Sequence, residues 1–271
     1  MNNKIILLNR WSLALVVIIG AFLSASCSSS DVRLNLSAEE RFELGMRKFN
    51  DEDYLEAINE FEIVKLQFPG STVADDAQYY LGDCHFKLGE YLIAAEEYRI
   101  LKRNMEASPL LSMAQYNIAM CFYNLSPESS LDQIYTRNAI DELQTFVEYY
   151  PTHELVRDAE LKIKELNTRL AKKIYDTAEL YMKMEYNKAA TIYFSTVVEK
   201  YHDTQYAEPA LLGKAKALVS RKKYDEAGQE IIKFLQKYPQ SALKSEAESL
   251  QRNINEHLKS QSSALGTSSH E

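Results

Sequence analysis

Five stretches of the chain line up on an alanine, and self-similarity at a fixed period dictates a row of like units before any single core is considered. They are DYLEAINEFEIVKLQFP around Ala57, EYLIAAEEYRILKRN around Ala94, TRNAIDELQTFVEYYP around Ala139, EYNKAATIYFSTVVEKY around Ala189 and KYDEAGQEIIKFLQKYP around Ala227. Tyr54, Tyr91, Tyr186 and Tyr224 stand three residues before the alanine. A large residue stands four after it in all five: Phe61, Tyr98, Leu143, Tyr193 and Ile231. Pro69, Pro151 and Pro239 stand twelve after it, and Tyr201 takes that slot in the fourth. Gly45, Gly82 and Ala215 stand twelve before it. In the third an insertion of eight residues brings Ala119 to the slot, and in the fourth Thr177 is the exception. Bulky Phe49, Phe86, Phe122, Tyr123 and Tyr181 follow three or four later.

Apolar residues recur at i, i+3 and i+4 with almost no strand pattern, so each unit reads as two helices. Small residues let the paired helices approach, and large ones fill the space beyond. This pattern resembles the tetratricopeptide repeat, a helix–turn–helix of about 34 residues. The expected fold is all-α: an α-solenoid of about five such repeats, built of antiparallel helix pairs. Ser37 with Glu40 and Thr72 with Asp75 have the spacing of capping boxes. No Pro or Gly occurs between Thr152 and Pro209, so 154–184 is expected as one long central helix. Residues 251–271 lose apolar periodicity and read as a polar, disordered tail.

The N-terminus is a different kind of segment. WSLALVVIIGAFL, residues 11–23, follows Lys4 and Arg10 and precedes small residues. It is too short to span a bilayer, and its order is that of a secretory signal peptide, residues 1–26. Ser24-Ala25-Ser26-Cys27 resembles a bacterial lipobox, with Ser24 where Leu is usual. Cleavage before a lipidated Cys27 or ordinary signal cleavage both fit. A lone exposed thiol is a redox liability in an oxidising compartment, whereas acyl chains anchor a protein stably. Lipidation at Cys27 is the expected reading, with 27–37 as a tether and the body in the periplasm.

Without residues 1–26 the chain has 29 basic and 39 acidic residues, a net charge of −10. That balance argues against nucleic acid, whose phosphates supply most of the affinity for basic proteins. No G-x-G-x-x-G, P-loop or H-E-x-x-H is present. His85, His153, His202, His257 and His270 are scattered, and acidic pairs such as Glu39-Glu40 and Glu96-Glu97 suit helix starts and solvated faces. No catalytic, metal or cofactor site is expected. Cys84 and Cys121 share one repeat position and read as small buried residues, with a bridge between them left open.

The third to fifth repeats carry more than the general pattern. Asp132-Gln133 with Thr136 and Ala139, Tyr150-Pro151, LAKKIYDTAELYMK at 170–183 and YNKAATIYFSTVVEKYHDT at 186–204 resemble the outer-membrane assembly lipoproteins, the BamD family. The resemblance implies a non-enzymatic scaffold at the inner face of a bacterial outer membrane. Its partners would be a BamA-like POTRA-barrel insertase and unfolded outer-membrane β-barrel proteins. It implies a substrate side in 38–125 and an insertase-docking side in 126–250. Candidate partner-binding residues are Tyr79, Tyr80, Phe86, Tyr116, Asp132, Gln133 and Tyr193. Many members carry a basic residue at the position of Tyr193, so an apolar or hydroxyl contact would replace that charge. A different periplasmic tetratricopeptide adaptor is the alternative; an enzyme with a carboxylate pair ranks last.

Overall fold

A computed structural model describes residues 36–267. The signal segment, Cys27 and most of the tether lie outside the described residues. Among those described there are eleven α-helices and no strand. They form two compact units, the first ending at Gly89 and the second beginning at Glu90. Packing thus divides the chain inside the stretch that the resemblance assigns to the substrate side.

The first unit holds α1 (Ala38–Asn50), α2 (Tyr54–Gln67) and α3 (Ala74–Lys87). Ser37 starts α1 with a complete capping box: its hydroxyl accepts from the Glu40 amide at 3.2 Å, and Glu40 accepts from the Ser37 amide at 2.9 Å. Thr72 does not cap α3, contrary to the spacing argument. The helix begins one residue later with Val73 at its N-cap, and Thr72 donates instead to Glu39 at 3.1 Å. Gly45 explains the small-residue slot. A Cβ there would sit 2.6 Å from the Phe61 ring, so only glycine lets α1 meet that fully buried phenylalanine. Beside it a buried pair joins the helices, Arg41 to Glu60 at 2.9 Å.

The second unit runs α4 (Tyr91–Asn104), α5 (Leu111–Leu125), α6 (Ile134–Tyr149), α7 (Val156–Lys183), α8 (Asn187–Lys200), α9 (Ala207–Ser220), α10 (Tyr224–Lys237) and α11 (Lys244–Thr267). Each helix packs on the next in sequence, and α9 also touches α7 and α11, as stacked helix pairs require. The long helix is α7, 28 residues, about 42 Å at 1.5 Å per residue. Its first half is tied to α5 by two tyrosine–carboxylate bonds, Tyr116 to Asp158 and Tyr123 to Glu165 at 2.7 Å. Its second half packs on α8 through Ile174, Tyr175, Ala178 and Tyr181.

The structure corrects the register of the fourth repeat by one residue. The fully buried alanine is Ala190, not Ala189, and the large residue four later is Phe194, not Tyr193. Tyr186 is the N-cap of α8, whereas Tyr54, Tyr91 and Tyr224 are first helical residues. With this shift Thr177 is no longer an exception, because Ala178 occupies the small slot and is fully buried. The residue four after the alanine is then fully buried in every repeat: Phe61, Tyr98, Leu143, Phe194 and Ile231. The turn five residues before the alanine shares one backbone device, a left-handed residue closing the first helix. It is Glu52 (φ 62°), Gly89 (φ 78°), Glu185 (φ 62°) and Lys222 (φ 60°), with no counterpart in the third repeat, where the 126–133 loop replaces the turn.

The expected tail is also corrected. Helix α11 continues to Thr267, and Ile254 is fully buried in the last core cluster with Leu250 and Leu258 packed beside it. His257 stacks on Tyr224 with centroids 4.5 Å apart. Ala247, Leu250, Ile254 and Leu258 hold a helical period that the surrounding serines and charges obscure. The helix covers an apolar face of the last repeat that would otherwise meet water.

Candidate partner-binding surfaces

In the first unit, Tyr80 of α3 lies within 6.0 Å, centroid to centroid, of Phe42, Phe49 and Phe61. Burial pushes its phenol above the ordinary value, with Asp83 and Asp76 adding to the shift. Tyr79 is buried and meets Tyr80 edge-on at 5.6 Å; Phe86 is half-buried. Tyr80 thus belongs to the aromatic interior of the unit. Tyr116, in the second unit, packs on Phe146 at 5.3 Å and donates to Asp158. Burial, then the Asp158 carboxylate, raises its phenol strongly.

Asp132 and Gln133 organise the loop before α6. Gln133 is buried; its amide donates to the Glu128 and Leu131 carbonyls at 2.8 and 3.0 Å and accepts from Thr136 at 2.8 Å. Asp132 accepts from the Ile134 amide at 2.8 Å, and this starts the helix. From α7, Arg169 reaches the Ser126 carbonyl and hydroxyl at 3.0 and 2.8 Å, and Lys173 reaches the Leu131 carbonyl at 2.5 Å. Loop backbone that would otherwise lack partners is thereby bonded, and Leu131 and Ile134 are left exposed on it.

Tyr193 is half-buried on α8, its ring 5.2 Å from Tyr181. Beside it, at the turn between α7 and α8, apolar side chains collect in the open. Leu180, Met184, Tyr186 and Ile192 are 50–58% exposed. A shallow groove of about 640 Å³ runs there between Tyr181, Tyr186, Ile192 and Arg221. Arg221 is held on it by Thr191 at 3.3 Å. Exposed apolar side chains beside a groove that Glu185, Lys188 and Arg221 also line have the form of a protein-docking surface.

Two further grooves occupy equivalent joints between repeats. The corrected register puts Lys102 and Val198 eight residues after their alanines, and Gln115 and Leu211 four before the small residue of the next repeat. At the joint of the second and third repeats, Lys102 of α4 and Gln115 of α5 meet under a groove of about 360 Å³ bounded by Tyr149 and Tyr150. Gln115 is 1% exposed and donates to the Glu142 carboxylate at 2.8 Å, which Arg99 also reaches at 2.7 Å. Burial lowers the Lys102 pKa first of all, against the opposing pull of Glu142. At the joint of the fourth and fifth repeats the floor is Val198 and Leu211, in a groove of about 520 Å³ with Lys214, Lys233 and Lys237 around it. Glu230 there binds Lys214 at 3.2 Å and Lys233 at 3.0 Å. Sequence reading missed Lys102 and Gln115. Comparing the same slot across repeats would have found them, because later repeats are aliphatic there.

Cys84 and Cys121 are both fully buried, each in the core of its own unit. Burial and Asp83 push the Cys84 thiol up to about 12, which makes it unreactive at neutral pH. Among the described residues no group of three or more metal-ligating side chains converges, and no helix is long and apolar enough to cross a membrane.

Helix pairs stacked in sequence order, with a small–large contact in each, define a tetratricopeptide-type helical repeat. Solved structures with this architecture resemble it. They include the TPR2AB-domain:pHSP90 complex of yeast Sti1: 16% identity, 85% of this chain, 87% of that chain, TM-score 0.43. A tetratricopeptide repeat protein of Parabacteroides merdae is 15% identical, covering 84% of this chain and 76% of that one, with TM-score 0.36. A thermophilic TPR protein of Thermus thermophilus is 17% identical, covering 79% and 98%, with TM-score 0.34. The particular family is narrower. The model of the YfiO outer membrane lipoprotein family matches residues 35–222, and the chain belongs to that family. The outer membrane protein assembly factor BamD of Caulobacter vibrioides is 35% identical over 80 residues, 30% of this chain. The matched stretch spans 26% of that protein's length.

Proposed function

We propose that the protein is a non-catalytic scaffold of the outer-membrane protein assembly machinery. It is anchored through lipidated Cys27 with its body in the periplasm. Residues 126–250 dock a POTRA-barrel insertase, and residues 38–125 contact unfolded β-barrel precursors to promote their insertion. Family membership and the assembly role of the Caulobacter relative support this reading. The observation that carries it is the exposed patch of Leu180, Met184, Tyr186 and Ile192, which lies within the docking stretch and needs a partner to leave water. Tyr193, beside that patch, offers the partner a ring edge and a hydroxyl in place of a charge.

The test is affinity purification of the lipidated protein from native membranes with mass spectrometry. A POTRA-barrel protein should co-purify, and Met184→Asp with Ile192→Asp should remove it. Enrichment of cell-division or secretion components without a POTRA-barrel protein would favour another periplasmic adaptor. Crosslinkers placed along 38–125 should capture barrel precursors. Cys27→Ser should release the body from the membrane; retention of that variant would sink the anchor.

A further inference from the structure

We propose that the groove at the joint of the fourth and fifth repeats receives an acidic, amphipathic segment of a partner protein, with Val198 and Leu211 as its apolar floor and Lys214, Lys233 and Lys237 as its cations. The proposal goes beyond the assembly reading. The groove lies at the C-terminal end of α8, whereas the groove beside the exposed patch meets its N-terminal end, and the test needs no member of a complex.

The first observation is the distribution of charge along the chain. Residues 38–206 carry 18 basic and 30 acidic residues, a net charge of −12. Residues 207–267 carry 10 basic and 7 acidic residues, a net charge of +3. An acidic ligand is repelled by most of the body and drawn to its last repeat.

The second observation is that repeat packing does not ask for these lysines. Lys214 stands one residue before the small residue of its repeat, and the other repeats place Leu44, Leu81, Ile118 and Thr177 there. Lys233 stands six residues after the alanine, where the others have Ile63, Ile100, Thr145 and Thr196. The slot of Lys237 is uncharged in the first three repeats and is Lys200 in the fourth. The fifth repeat is alone in holding a cation at all three, and the fold brings them to one opening.

The third observation is how the groove of about 520 Å³ is built. Half-buried Val198 and buried Leu211 form its floor. Glu230 lies between Lys214 at 3.2 Å and Lys233 at 3.0 Å and offsets one of the charges. Lys237 rests over the Tyr238 ring, 5.4 Å from its centroid. Exposed Glu199 is the second carboxylate lining the groove, so cations remain in excess. Ile232, 48% exposed, stands on α10 one turn before Gln236 and extends the apolar surface past the opening. Hydrocarbon beneath lysines matches a ligand of both characters: an aliphatic side chain that leaves water, with carboxylates around it. A bilayer presents its headgroups first and does not reach a recessed floor, whereas a peptide segment does.

The test uses the chain from residue 27 with Cys27→Ser, free of acyl groups, and fluorescence anisotropy with labelled dodecapeptides blocked at both ends, so that no chain terminus is charged. The first peptide sets Leu at helical spacing among Glu and Ala. The second replaces Glu by Gln, and the third replaces Leu by Ser. The first should bind at least about tenfold tighter than either control, and its advantage over the second should shrink as salt is raised. Lys233→Thr with Lys237→Gln, the residues of the fourth and first repeats at those slots, should erase that advantage. Both lysines are exposed and Lys214 still holds Glu230, so thermal unfolding of this variant should match the parent. Lys233→Arg with Lys237→Arg should keep the preference. Glu199→Gln should tighten the first peptide about threefold, the effect of one exposed charge. Equal binding of the Glu and Gln peptides, a Ser peptide that binds as tightly as the first, or a preference that survives Lys233→Thr with Lys237→Gln overturns the proposal. Phosphatidylglycerol vesicles bound through the same lysines, with no peptide bound, would assign the groove to a membrane surface and overturn it too.

Discussion

The joint between the second and third repeats and the joint between the fourth and fifth use one backbone plan and opposite chemistry. In both, the glutamate three residues after the repeat alanine sits between helices: Glu142 in one, Glu230 in the other. At the earlier joint its cation, Arg99, comes from the preceding repeat, and Lys102 and Gln115 complete a polar seam. At the later joint the cations, Lys214 and Lys233, come from the glutamate's own repeat, and Val198 and Leu211 close the seam with hydrocarbon. At these two joints the same slot holds a carboxylate whose cation comes from different places. Where the seam is aliphatic, lysines remain at the rim; where it is polar, one lysine is drawn beneath the groove.

The comparison can be broken most strongly at the small–large contact. Phe194 is fully buried against Ala178, and a Cβ on Gly213 would lie 2.6 Å from its ring. Phe194→Ala should cost about 3–5 kcal/mol in urea unfolding, because the rigid alanine and glycine walls cannot collapse into the cavity. A loss under half of that would mean the later joint relaxes more readily than its packing implies.

Moving the polar seam comes next. Leu211→Gln should cost about 2–3 kcal/mol by placing an amide in an apolar floor. Adding Val198→Lys should restore about 0.5–1 kcal/mol, as the lysine–glutamine bond of the earlier joint forms. A double-mutant cycle checks this; additive losses would show that the two joints are not interchangeable.

The turn residues give a smaller effect. Glu185→Gly should stabilise by about 0.5–1 kcal/mol, because a non-glycine residue at φ 62° carries the left-handed penalty. The same change at Gly89 is already present in the chain, so Gly89→Ala should destabilise by a similar amount, read by thermal unfolding.

The smallest effect is in pH dependence. Burial lowers the folded-state pKa of Lys102, so the unfolded chain binds more protons than the folded one between that lowered value and the ordinary lysine value. Stability contributed by this site therefore rises with pH across the window. The gap in stability between the parent and Lys102→Met should change in that direction above neutral pH and be flat below it. Cys84 runs the opposite way: its thiol, raised to about 12, holds its proton while the unfolded thiol loses it above about 9, so stability falls there. Cys84→Ala should remove that alkaline slope.

Much of this was legible in the sequence. Ala57, Ala94, Ala139 and Ala227, with the large residues four beyond them, are fully buried as their recurrence implied, and the long helix ran unbroken through a stretch without Pro or Gly. The fourth repeat misled because Ala189 and Ala190 are adjacent and Tyr186 imitates the tyrosines of other copies. A one-residue shift turns a helix by about 100°, enough to exchange the buried and exposed rings. That Tyr80 packs among Phe42, Phe49 and Phe61, and Tyr116 on Phe146, was not legible, because aromatic identity does not reveal which side of a helix meets a neighbour.

The sequence by itself determined the all-helical repeat, the small–large pairing within repeats and the acidic, motif-free character of the chain. These depend on local periodicity and composition. Tertiary structure alone decided the register of the fourth repeat, the docking of the last helix, and which ammonium lacks a carboxylate. Those depend on contacts between residues far apart in the chain: Lys102 meets Gln115 thirteen positions away, and Gln115 meets Glu142 twenty-seven away. Local pattern sets which face of a helix is apolar, but only the neighbouring helix sets what each polar group on that face will meet.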